Sequence, residues 1–178
     1  IIAMEEKMIP PLVAQLFFTR REFERGLEGV SEQDAVKHIG PMNCISWIVG
    51  HMAWHEQKYW LELAQRKIPH QELVARFSYG APKSSPTLDE VIKSWRAVTR
   101  ETKPWLGKLT TAGLQADLLR HGKSVGQSYG SAMHRLIYHY WYHIGEVLAI
   151  RQMLGHCDLP GFVGELEENA PYRSEYAG

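Results

Sequence analysis

The sequence predicts an all-α protein, a four-helix bundle followed by an irregular C-terminal tail. Three observations predict it. Four long segments repeat apolar residues at helical spacing, breaks rich in glycine and proline separate them, and no segment shows the two-residue alternation of a strand.

The first helix is expected from Pro10 to Leu27, with Leu12, Leu16, Phe23 and Leu27 near one face. Pro10 and Pro11 suit a first turn, whose amide hydrogens have no intrahelical acceptor, and Gly26 and Gly29 close the segment. The second helix is expected from Met42 to Gln65. Ile45, Ile48, Val49, Met52, Tyr59 and Leu63 form its apolar stripe, and Asn43 is the candidate N-cap. Lys67 to Pro86 reads as a loop because it holds Pro69, Gly80, Pro82, Ser84, Ser85 and Pro86. The third helix opens on Thr87-Leu88-Asp89-Glu90, a capping box in which Thr87 and Glu90 satisfy opposite orphan donors. It continues through Val91, Ile92, Trp95 and Val98, and Pro104 is expected to kink it or end its first part. A polar stretch with Gly113, Gly122, Gly126 and Gly130 leads to the fourth helix, Ser131 to Leu154, which Gly155 stops. Beyond it, Pro160, Gly161, Gly164 and Pro171 predict an irregular tail.

The totals narrow the function classes. A chain of 178 residues is long enough for one full core, so a single domain over 1–178 is expected. Lys+Arg and Asp+Glu each number 20, and no dense basic patch interleaved with aromatics occurs, so no nucleic-acid partner is expected. Nothing approaches the ~20 apolar residues of a membrane span. The apolar run Pro11 to Phe18 ends in Arg20-Arg21 without a small-residue cleavage site, so it reads as helix core rather than a signal peptide. Cys44 and Cys157 form no CxxC pair, which points to two reduced thiols and removes a cysteine-rich zinc site. A cytoplasmic location is the expectation. Met4 is a candidate natural start, which would set Ile1 to Ala3 apart from the native chain.

Nine histidines are the compositional oddity, and their spacing carries the chemistry. His139 and His143 are four apart on the fourth helix, about 40° different in direction, so both imidazoles leave one face. His51 and His55 repeat the spacing on the second helix. Two facing helices then bring three or four nitrogens to one point. His134 lies about 140° from His139 and cannot join without a break in the helix. On the second helix, His51 sits off the apolar stripe and His55 somewhat closer to it. Helical geometry leaves that choice open and slightly favours His55. His38, His70, His121 and His156 fall in loops or at helix edges and are expected to be solvated. Three neutral imidazoles suit zinc, nickel, iron or cobalt, and three ligands leave coordination positions open, as in a catalytic site. Tyr140 stands where the HExxH proteases carry their general base. Glu146 and Glu56 are candidate supporting or acid–base groups.

The segment Ser46-Trp47-Ile48-Val49-Gly50-His51-Met52-Ala53 resembles the DinB-like superfamily of helical-bundle metalloproteins. His139-Tyr140-Trp141-Tyr142-His143-Ile144-Gly145-Glu146, followed by Arg151 and Leu154-Gly155, reinforces the resemblance. It implies His51, His139 and His143 as the metal triad, with His55 the runner-up, around one divalent transition metal such as zinc, nickel or iron. Glu146 stands where glutamine is frequent in the family. The resemblance also implies an up-down-down-up bundle and a homodimer. Its relatives include transferases that use low-molecular-weight thiols and metal-dependent hydrolases.

The expectation is therefore a metal-dependent enzyme, a thiol transferase or hydrolase acting on a small-molecule substrate, with no catalytic side chain assignable. Trp47, Trp54, Tyr140, Trp141 and Tyr142 are candidate pocket walls, although core and interface packing suits most of them better. Arg66 to Pro86 and Leu159 to Gly164 are candidate covers for the site. The competing expectation is a non-catalytic metal- or ligand-binding protein.

Overall fold

A computed structural model describes residues 9–173. Four long helical segments carry the core: α1 (Pro11–Leu27), α3 (Ile45–Glu56) with its continuation Gln57–Leu63, α5 (Leu88–Leu106) and α7 (Tyr129–Met153). Shorter elements join them: α2 (Glu32–Ala35), α4 (Gln71–Phe77), α6 (Thr111–Leu114), strands β1 (Asp117–Arg120) and β2 (Lys123–Ser128), and α8 (Leu166–Asn169). Pairs α3–α5 and α1–α7 pack most extensively, and α3 also meets α7. Leu16 and Phe23, Ile48 and Met52, Trp95 and Val98, and Leu136 and Tyr140 line the shared core from the four segments in turn. Among the described residues no helix is long and apolar enough to cross a membrane. Met4, the candidate start, lies outside them.

The ends of these helices follow local chemistry. Pro11 opens α1, as expected. The Thr87 hydroxyl accepts the Glu90 amide at the start of α5, but the capping box is only half built. The Glu90 carboxylate pairs instead with Arg76, and the Glu32 carboxylate of α2 takes the amides of Leu88 and Asp89, each at 2.7 Å. Ser128 caps α7 by accepting the Ser131 amide, and Gly155 ends that helix at φ 86°.

Several sequence expectations are corrected. Asn43 does not cap α3; Cys44 holds that position without a side-chain capping bond. The second helix does not run as one α-helix to Gln65, because after Glu56 it widens into a π-helix. Pro104 does not end α5, which continues past it to Leu106. The segment read as a loop contains α4, and the tail contains the single turn α8. Two strands also occur where none was expected. Both are short and mostly solvated, so they bury no alternating face, and only Leu118 is fully buried. His121 and Gly122, both at positive φ, make the two-residue turn between them.

One buried polar network ties the long segments together. Arg20 of α1 grips the Glu56 carboxylate with Nε at 2.8 Å and Nη2 at 2.6 Å. Tyr140 of α7 donates to the same carboxylate at 2.7 Å and accepts from Trp95 Nε1 of α5 at 2.7 Å. Arg20 also donates to Thr102 at 3.0 Å. Burial works against the Arg20 charge, but Glu56 and then Tyr140 more than offset it and raise the guanidinium pKa. Burial, followed by the Glu56 charge, holds the Tyr140 phenol well above its ordinary range. Glu56 and Tyr140 are the chain neighbours of His55 and His139, so this lock fixes both helices where the histidines leave them.

Candidate metal centre

The structure brings His51, His139 and His143 together. Each offers one ring nitrogen, and the three nitrogens lie within 4.8 Å of one another, a spacing that small side-chain rotations close onto one ion. His139 Nε2 and His143 Nε2 are 2.9 Å apart. His51 and His143 are buried and His139 is half-buried. His51 stacks on Trp47, with ring centroids 4.9 Å apart and planes 13° from parallel.

The opposite ring nitrogen of each histidine is also engaged. His51 Nδ1 donates to the carbonyl of Phe77 at 2.8 Å, and His143 Nδ1 donates to the Glu146 carboxylate at 2.8 Å. Both partners can only accept, so both rings carry their hydrogen on Nδ1 and leave Nε2 as a lone pair. His139 Nδ1 meets His55 Nδ1 at 3.0 Å, a partner that can donate or accept. With its hydrogen on Nε2, His139 donates to His143. With the hydrogen on Nδ1, it donates to His55 and turns a third lone pair toward the other two. Orienting partners behind every ring are the usual support of histidine ligands.

Burial keeps His51 and His139 neutral. It is the largest cause of the low pKa of His51, about 4, and of His139, about 3, with the neighbouring histidines adding to the effect. His55 falls further, to about 2, from burial and then from His139. Neutral imidazole is the form that ligates metal, so at neutral pH protons do not compete at His51 and His139. Donor type and spacing fit a divalent transition ion.

The local fold explains the placement. An added Cβ on Gly50 would stand 2.5 Å from Cε1 of the buried Phe77 ring, so glycine admits α4 against α3 and brings the Phe77 carbonyl to His51. Sequence reasoning had no means of finding Phe77, 26 positions away and inside an expected loop. That segment supplies an orienting partner from behind His51. Leu159 to Gly164 is fastened to α1: Gly161 accepts from Arg25 and Gly164 donates to Glu22.

The remaining candidates separate cleanly. Glu146 supports His143, as its spacing allowed, whereas Glu56 is committed to Arg20 and Tyr140. His134 is exposed and faces Tyr138, away from the triad. His38, His70 and His156 are not simply solvated. His38 bonds Met42 and Ser85, His70 bonds Glu101, and His156 lies between Arg151 and Asp34. Trp47 and Trp54 pack on His51, Tyr140 is core, Trp141 packs on the core's edge, and Tyr142 is exposed. Cys44 is buried and Cys157 exposed, both as free thiols.

A family model described as the DinB superfamily matches residues 15–147, which include all three histidines. No curated protein matches the chain.

Proposed function

The chain belongs to the DinB superfamily, and on that footing we propose that His51, His139 and His143 hold one divalent metal in an enzyme acting on a small molecule. The observation that carries this reading is the outer bonding of the triad, which aims Nε2 of His51 and His143 inward and gives His139 a partner able to do the same. Zinc, nickel or iron in such a site supplies Lewis acidity that activates a thiol or a water for transfer or hydrolysis. The chain's own residues bind and orient. Phe77 fixes the His51 ring, Glu146 fixes His143, and His55 fixes His139. Trp47 and Trp54 shield the His51 side of the centre. Both nearby carboxylates already hold hydrogen bonds, Glu146 to His143 and Glu56 to Arg20 and Tyr140, which favours chemistry on a nucleophile activated at the metal.

A low-molecular-weight thiol as co-substrate, a cytoplasmic location and one up-down-down-up four-helix bundle over 1–178 belong to the same reading. So does a homodimer, which suits the exposed Tyr138, Tyr142 and Met153 on the outer side of α7. The test is a screen of thiol-transfer and hydrolysis reactions with metal-loaded and chelated protein. Turnover that vanishes on chelation and in His139→Ala supports the enzyme. A full complement of metal without turnover in any reaction leaves a metal-binding protein instead.

A further inference from the structure

Away from the triad, an open cavity of about 540 Å³ lies between the π-helical segment Gln57–Leu63 and the β1–β2 hairpin. Its walls combine Leu63, Ile68 and Leu119 with Arg66, Arg120 and a single carboxylate, Glu62. Ile68 and Leu119 are 44% and 39% exposed, so apolar surface stands open beside the charges. Arg120 approaches Glu62 only to 3.8 Å, too far for a hydrogen bond, and among the described residues Arg66 makes no ion pair.

Three further observations set this place apart. Arg66 and His121 are the non-glycine residues at positive φ among those described, 58° and 51°, and both line the cavity. Arg66 ends its helix in the left-handed conformation that usually falls to glycine, and backbone held this way gathers at functional sites. Lys58 stands near the cavity, outside its wall: burial and then the like charge of Arg120 lower its pKa, while Glu62 pulls the other way. Two guanidinium groups against one carboxylate in the cavity wall is an imbalance in a chain whose formal net charge is zero. Finally, the Lys58 ammonium sits 4.9 Å from the Trp54 ring centroid, and that ring is 5.4 Å from His51. The cationic edge therefore continues to the wall of the metal centre.

We propose that this cavity is an anion subsite, in which Arg66 and Arg120 hold the carboxylate or phosphate of a small organic molecule whose apolar body rests on Leu63, Ile68 and Leu119. Guanidinium groups bind both anions through paired N–H donors, and Lys58 adds charge without directional demand. The role of the subsite in orienting a substrate toward the triad rests on the metal reading above. Anion binding itself does not.

The experiment follows amide resonances of residues 62–68 and 119–122 while 15N-labelled protein is titrated with succinate, inorganic phosphate or chloride at constant ionic strength. Saturable shifts with succinate or phosphate and none with chloride are expected, and the tighter of the two identifies the anion. Arg66→Gly and Arg120→Gln should each weaken binding at least about tenfold. Arg66→Gly relieves the positive φ, so its melting temperature should not fall, and lost binding cannot then be ascribed to misfolding. Unsaturable shifts equal to those of chloride, or affinities unchanged in both variants, overturn the proposal. Running His139→Ala in parallel separates the two readings. Anion binding in a wild-type chain that holds no metal removes the metal centre alone, and metal retained without anion binding removes the subsite alone.

Discussion

His51 donates its Nδ1 hydrogen to the backbone carbonyl of Phe77 across 2.8 Å, and the glycine preceding His51 is what lets the two residues meet. Gly50→Ala sets two effects against each other. Alanine gains ~1 kcal/mol of helix propensity, but its Cβ would overlap a Phe77 ring that is 1% exposed and cannot swing away. Overpacking of this kind costs ~1–3 kcal/mol, so a net loss is expected in urea unfolding. Metal affinity should fall with it, by about 10–100-fold, because His51 loses its anchor. Gly145→Ala, on the same helix as His143 and with nothing within 4 Å of the new Cβ, should stabilise the protein instead.

His55 meets the far nitrogen of His139 and offers no nitrogen to the cluster. His55→Ala should therefore retain one metal per chain but bind it about 10–100-fold more weakly in a chelator competition. His55→Asn, which keeps a hydrogen-bonding group there, should recover part of the loss. Complete loss of metal in His55→Ala, as expected of His139→Ala, would make His55 a ligand.

Removing one partner of the buried Arg20–Glu56 pair leaves an uncompensated charge in the core. Arg20→Met should cost ~3–5 kcal/mol in urea unfolding. Tyr140→Phe strands the Trp95 indole hydrogen and one Glu56 contact, at ~1–3 kcal/mol. A cost below half a kcal/mol in both would contradict the view that this network locks the helices.

Acid should destabilise the metal-free protein in a defined window. His51 and His139 are held neutral in the fold, to about 4 and about 3, whereas their unfolded counterparts protonate near 6.5. Between those values the unfolded chain binds more protons, so stability rises with pH and is lost as pH falls from about 6.5 toward 4. Asp34, lowered to about 2 chiefly by its hydrogen bond to Lys37, begins to contribute its loss only below its ordinary 3.8. Urea midpoints measured from pH 7.5 to 4.5 test this; a flat profile would contradict it.

The long helices were legible because their periodicity and caps are local: Pro11, Thr87 and Gly155 act on their own turn. The histidine pair of α7 was legible for the same reason, as was Glu146 at three residues' spacing from His143. The choice between His51 and His55 was not, since one helical turn separates them and both point toward α7. What distinguishes them is Phe77, a tertiary partner behind His51 only. The hairpin escaped because strands that bury almost nothing leave no alternation to read. The π-helical turn has no sequence signal that we can identify.

The central claim is that three histidines on α3 and α7 hold one divalent ion. Elemental analysis of protein purified without chelators, alongside the His51→Ala, His139→Ala and His143→Ala variants, tests it most directly. One transition-metal ion per wild-type chain, falling at least about tenfold in each variant while all three stay folded, is the predicted result. A wild-type chain free of metal even after incubation with zinc, nickel and iron, or variants that keep a full complement, would contradict it.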